Sequence, residues 1–110
     1  MMTDIRWPVL LQYEGDPELT VIRSQEEWRT EYVQHYFAAQ DRLIDSAGQC
    51  FLLQQRISGQ IMPHAAGVRL SLNELNDILR AHFAAAGHCC VAKMLVASVA
   101  EAVQAVEAAG

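Results

Sequence analysis

The sequence predicts a single α+β domain over residues 1–110, a mainly antiparallel sheet of about five strands with three helices, in the order β-β-α-β-β-(β)-α-β-α. Three observations carry this expectation. Serine opens three helix-start patterns, turn-forming residues separate two pairs of extended apolar segments, and one late apolar run shows no polar face.

The chain begins with Trp7–Tyr13 and Leu19–Arg23, two extended segments joined by Glu14-Gly-Asp-Pro-Glu18, which reads as a hairpin. Ser24-Gln-Glu-Glu27 then has the spacing of a capping box, in which the serine side chain accepts the amide of the third helical residue and the glutamate reaches back. It starts a helix predicted over Gln25–Phe37, with Trp28, Tyr32, Val33, Tyr36 and Phe37 at roughly helical spacing. Arg42–Asp45 and Gln49–Gln54, separated by Ser46-Ala-Gly48, form a second predicted hairpin. Arg56–Met62 is a further extended piece interrupted at Gly59, and His64 after Pro63 reads as a loop residue. Ser71-Leu-Asn-Glu74 opens the second helix, whose stripe of Leu72, Leu75, Ile78, Leu79, His82, Phe83 and Ala86 stops at Gly87, a residue suited to a left-handed C-terminal cap. Cys89–Val96 is apolar on both alternating faces, as an interior strand requires. Ser98-Val-Ala-Glu101 opens the third helix, with Val99, Ala102, Val103 and Val106 on its narrow apolar face.

Composition bounds the function. With 52% hydrophobic residues in 110, the chain can bury one core without staples. No apolar run approaches the roughly 20 residues that span a bilayer, and the first residues lack the pattern of a signal peptide, so a cytoplasmic protein without a membrane segment is expected. Three cysteines, two of them adjacent, suit reduced thiols in that compartment. Thirteen acidic against eight basic groups, with no Lys/Arg cluster, disfavour nucleic acid as a partner. No glycine-rich phosphate loop and no catalytic signature is present, so neither a cofactor nor an enzyme activity is expected.

One constellation carries unusual chemistry: His82, His88, Cys89, Cys90 and Lys93. Thiolate and imidazole suit zinc or copper(I), and a Cys–His pair can form a nucleophile. Neighbouring strand residues point to opposite faces, however, so Cys89 and Cys90 do not readily share a metal. The competing reading buries the cysteines as small hydrophobes, lays the Lys93 stem along apolar surface and bonds His82 to backbone. Asp45 at a hairpin turn is expected to accept nearby amides rather than to act as an acid or base. Trp28, Tyr32 and Tyr36 are core aromatics or, wherever exposed, an interaction face.

The chain resembles a small bacterial protein family of unknown function. The resemblance rests on Trp7-Pro8-Val9-Leu10-Leu11, on Leu43-Ile44-Asp45-Ser46 with Gly48, on Leu70–Leu75, on Ala81-His82 and on Cys89-Cys90-Val91-Ala92-Lys93. It implies a compact α+β fold and no assigned activity. The leading expectation is a non-catalytic interaction or regulatory module that binds a protein partner or a second copy through a sheet edge or the aromatic helix. The alternative is a small-ligand or metal-binding protein that uses the His82, Cys89, Cys90 and Lys93 region.

Overall fold

The computed structural model describes residues 5–32, 35–53, 56–57, 60–61, 63–87 and 95–109. Their elements are β1 (Val9–Gln12), β2 (Leu19–Ile22), α1 (Gln25–Glu31), β3 (Arg42–Ile44), β4 (Gln49–Leu52), β5 (Arg56–Ile57), β6 (Gln60–Ile61), β7 (His64–Arg69), α2 (Leu72–Ala85) and α3 (Val99–Ala109). Five strands form one antiparallel sheet in the order β2-β1-β3-β4-β7, while β5 and β6 pair separately. The fold is α+β, as expected.

Both faces of this sheet are apolar, and strand alternation sorts the residues between them. Leu10, Ile44 and Cys50 join Leu75, Leu79 and Phe83 of α2 and Val99, Ala102, Val103 and Val106 of α3 in one core. Val9, Leu11, Leu43 and Phe51 point the other way, into a core built around Trp28. That tryptophan is fully buried and stacks on Tyr32 and Phe37, each with ring centroids 5.9 Å away.

The aromatic core explains why α1 is shorter than its sequence pattern predicts. Nine residues along a helix rotate a side chain about half a turn past its starting face, which would carry Phe37 away from Trp28. The helix ends at Glu31, the chain turns through the His35 amide to the Tyr32 carbonyl, and Phe37 returns to Trp28 and Tyr13. Tyr36 is left 90% exposed.

All three serine caps form. Ser24, Ser71 and Ser98 accept the amides of Glu27, Glu74 and Glu101. Only at α2 does the glutamate reach the cap residue's own amide; Glu27 and Glu101 bond one residue further back, at Arg23 and Ala97. Gly87 adopts φ +86°, the left-handed conformation expected beyond α2. Buried Asn76 replaces exposed Leu72 on the inner face of α2, because its side-chain amide bonds both the N–H and the carbonyl of Val96 and so fastens the segment that leads into α3.

One further expectation changes, and another falls mostly outside the described residues. His64 is not a loop residue but the first residue of β7, paired with Leu52. Ala65, Ala66 and Gly67 have little intrinsic strand preference, and it is the ladder with β4 that makes them a strand. The predicted strand Cys89–Val96 falls largely on residues 89–94, outside the described residues; Leu95 and Val96 are not in a strand.

Trp28→Ala is expected to lower the unfolding free energy by about 3–5 kcal/mol, the usual result of emptying a buried indole site. Tyr36→Ala, five residues beyond α1, should change it by less than about 0.5 kcal/mol. Urea titration of the two variants checks both values.

Candidate functional site

Two buried aspartates bracket β3, the central strand. Asp41 accepts the amides of Glu14 and Ala38, tying the first hairpin turn to the end of the aromatic loop. Asp45, fully buried, accepts three amides: Arg6 at 3.1 Å, Ala47 at 3.0 Å and Gln49 at 2.9 Å. Its own N–H and carbonyl close the turn with Gln49 and Gly48, and Gly48 at φ +84° in turn accepts the Leu70 amide. Both carboxylate oxygens of Asp45 are thus engaged with backbone amides. Asp45 is a structural anchor rather than a general acid or base.

Of the hollows among the described residues, two lie beside these anchors. The smaller, about 260 Å³, opens where α2 and α3 both begin and is lined by the Ser46–Gly48 turn, Leu70–Leu72, Leu75 and Ala97–Val99. Its hydroxyls are already bonded: Ser46 donates to the Pro8 carbonyl, while Ser71 and Ser98 cap their helices. Leu72 and Leu95 are 50% and 74% exposed at this end of the helix pair. Asn76 fastens the two segments that carry them, since its side-chain amide bonds the carbonyls of Leu72 and of Val96, the residue after Leu95.

The larger hollow, about 700 Å³, lies on the helix-side face of the sheet beneath the Tyr13–Pro17 turn. Its shape follows from a register shift between β4 and β7: Gln49 pairs with Arg69 and Phe51 with Ala65, so two extra residues of β7 bulge out opposite Cys50. Gly67 permits this with φ +74°. Cys50, Leu52, Ala66 and Val68 line the hollow, and Arg42 enters it from β3. The Arg42 guanidinium donates through Nε to Gln12 Oε1 at 2.8 Å and through Nη1 to Cys50 Sγ at 3.7 Å. Burial pushes the Cys50 thiol above its ordinary pKa, against the opposing pull of Arg42. Tyr13, on the rim, is likewise raised by burial and then by the neighbouring Tyr32, Asp41 and Asp16.

Of the residues singled out from the sequence, His82 is buried and its Nδ1 accepts the Leu19 amide at 2.8 Å, with its ring edge-on to Phe83 at 4.9 Å. That lone pair is committed to the backbone. His88, Cys89, Cys90 and Lys93 lie outside the described residues. Among the described residues, no group of three His, Cys, Asp or Glu side chains is placed to hold a metal ion. Trp28 is core, Tyr32 is half-buried beside it, and only Tyr36 faces solvent. Sequence reasoning missed Arg42 and Asn76. The signal for Arg42 was a cation inside an otherwise apolar strand, visible in Arg42-Leu-Ile; the signal for Asn76 was an amide on the apolar stripe of α2.

The chain is similar to a protein from Shewanella amazonensis whose structure was solved by NMR. The two share 33% sequence identity and a TM-score of 0.73, over 96% of this chain and 90% of the other. Residues 7–106 match the family model DUF4144, described as a protein structure with unknown function. No curated protein matches. These findings agree with the resemblance read from the sequence.

Asp45→Ala would strand three amides, and is expected to cost about 3 kcal/mol or more in unfolding free energy, judged from about 1–3 kcal/mol for each buried donor left without a partner. Asp45→Asn, which keeps one acceptor oxygen, should cost less in the same denaturant titration. Cys50 gives a pH signature. With the folded-state pKa raised, its contribution to stability is complete below the ordinary thiol range and fades as pH rises through the folded value. Wild type should therefore lose more stability than Cys50→Val between neutral and strongly alkaline pH; parallel curves would contradict this.

Proposed function

We propose that this chain, which belongs to the DUF4144 family, is a non-catalytic interaction or regulatory module that docks a protein partner on the corner where α2 and α3 begin. The observation that carries the reading is the pair of exposed leucines, Leu72 and Leu95, beside a hollow whose hydroxyls are already bonded. Exposed leucines at one end of a helix pair gain by being covered, and an apolar side chain of the partner can enter a hollow whose serine oxygens already have partners within the chain.

The sheet edges favour this corner over strand addition. β7 is interrupted by its bulge, and β2 is only four residues long, so each offers a poor template for a regular added strand. The aromatic helix contributes little to an outer face, since Trp28 is enclosed. The net charge of −5 argues against nucleic acid, and no helix among the described residues is long and apolar enough to cross a membrane. We place the module in the cytoplasm, where a reducing environment suits the unpaired Cys50 thiol.

A photo-crosslinking residue at position 95, compared with one at exposed Arg29, tests the surface in cells. Adducts from position 95 that are absent from position 29 and suppressed by Leu72→Asp are expected; an adduct of twice the chain's mass would identify the partner as a second copy. Equal adducts from both positions, or none from position 95, would overturn the reading.

A further inference from the structure

We infer that the hollow beneath the first hairpin turn is a binding site for small aliphatic monocarboxylates, held by Arg42. The site is separate from the Leu72 and Leu95 corner and does not depend on it.

Arg42 lacks a counter-ion among the described residues. Arg42 is half-buried, yet the two ion pairs among the described residues are Arg23–Glu107 and Arg80–Asp77, and neither includes it. Its only described partners are neutral: the Gln12 amide oxygen and the Cys50 sulfur. These bonds fix the guanidinium through Nε and Nη1 while Nη2 makes no hydrogen bond among the described residues. A cation drawn partly out of water gains most from a carboxylate, whose two oxygens match the planar donors of arginine.

What surrounds the cation defines the rest of the ligand. Cys50, Leu52, Ala66 and Val68 provide an apolar wall next to the guanidinium. Cys50 and Leu52 lie two residues apart on one strand face, roughly 7 Å along β4, about the length of an extended six-carbon acid. The hollow's 700 Å³ falls within the range of roughly 300–1,000 Å³ usual for small-molecule sites.

Glu14 and Asp16 on the rim set the charge limit. Each turns one oxygen to the backbone, Glu14 to the Gln40 amide and Asp16 to the Glu18 amide, and both are exposed to screening water. A single carboxylate seated at Arg42 tolerates them, whereas a phosphate or dicarboxylate would place a second negative charge beside them.

The probe is hexanoate, titrated into the full chain and followed by proton–nitrogen NMR, with hexanol and hexylammonium as controls. Hexanoate should shift the Arg42 Nε–H and the amides of Leu52, Ala66 and Val68 along one saturable curve, with an affinity on the order of millimolar for so small a ligand. Arg42→Gln should weaken it at least about tenfold, the scale of one lost charge-assisted contact. Ala66→Leu keeps the cation and fills the wall, so it should weaken hexanoate too. The inference is overturned if hexanol binds as tightly as hexanoate, if Arg42→Gln in a folded protein binds normally, or if hexanoate shifts amides across the surface without saturating.

Discussion

A short central strand held at both ends by buried carboxylates is the constraint on which this structure depends. β3 has three residues, too few to specify its place by ladder bonds alone. Asp41 before it and Asp45 after it supply that specification by accepting five backbone amides from four separate parts of the chain. An ionised carboxylate is costly to bury unless its lone pairs are filled, and here protein N–H groups fill them. The N-terminal segment, the first hairpin turn, the aromatic loop and the second hairpin turn are consequently positioned relative to one strand.

From that strand outward, the sheet works as a two-sided partition. One face receives α2 and α3, the other receives α1 and the aromatic loop, and the alternation of Leu10 with Leu11, Ile44 with Leu43 and Cys50 with Phe51 feeds both cores. A sheet apolar on both sides leaves little freedom to slip, since a shift by one residue would exchange the two sets. The candidate surfaces arise where this partition is incomplete. At one end, two capped helices start together and leave leucines outside; at the other, β7 bulges and leaves Arg42 beside an open apolar wall.

The local chemistry was readable from particular residues. Each serine followed three positions later by glutamate did cap a helix, because capping needs only neighbours in sequence. The Asp45–Gly48 turn and the Gly87 cap were legible for the same reason. Tyr36 and Phe37 were misread as helical because their spacing fits a helix, while the stacking of Phe37 on Trp28 favours leaving it. The His82 reading as a backbone-bonded core histidine was available from its place on an apolar stripe, but its partner, Leu19, is 63 residues away and had no local signal.

By itself the sequence determined the fold class, the three helix starts, both hairpins and the acidic balance that weighs against nucleic acid, since propensity, capping, turn chemistry and net charge act over a few residues or over the whole chain. Tertiary structure decided that His64–Arg69 is a strand, that α1 stops at Glu31, that Asn76 turns inward to Val96, and that Arg42 lies beside Cys50 with no carboxylate partner among the described residues. Each of these depends on a partner distant in sequence. A ladder, an aromatic stack or a missing counter-ion exists only once the chain has closed on itself, and no spacing along the chain encodes which group will be across from it.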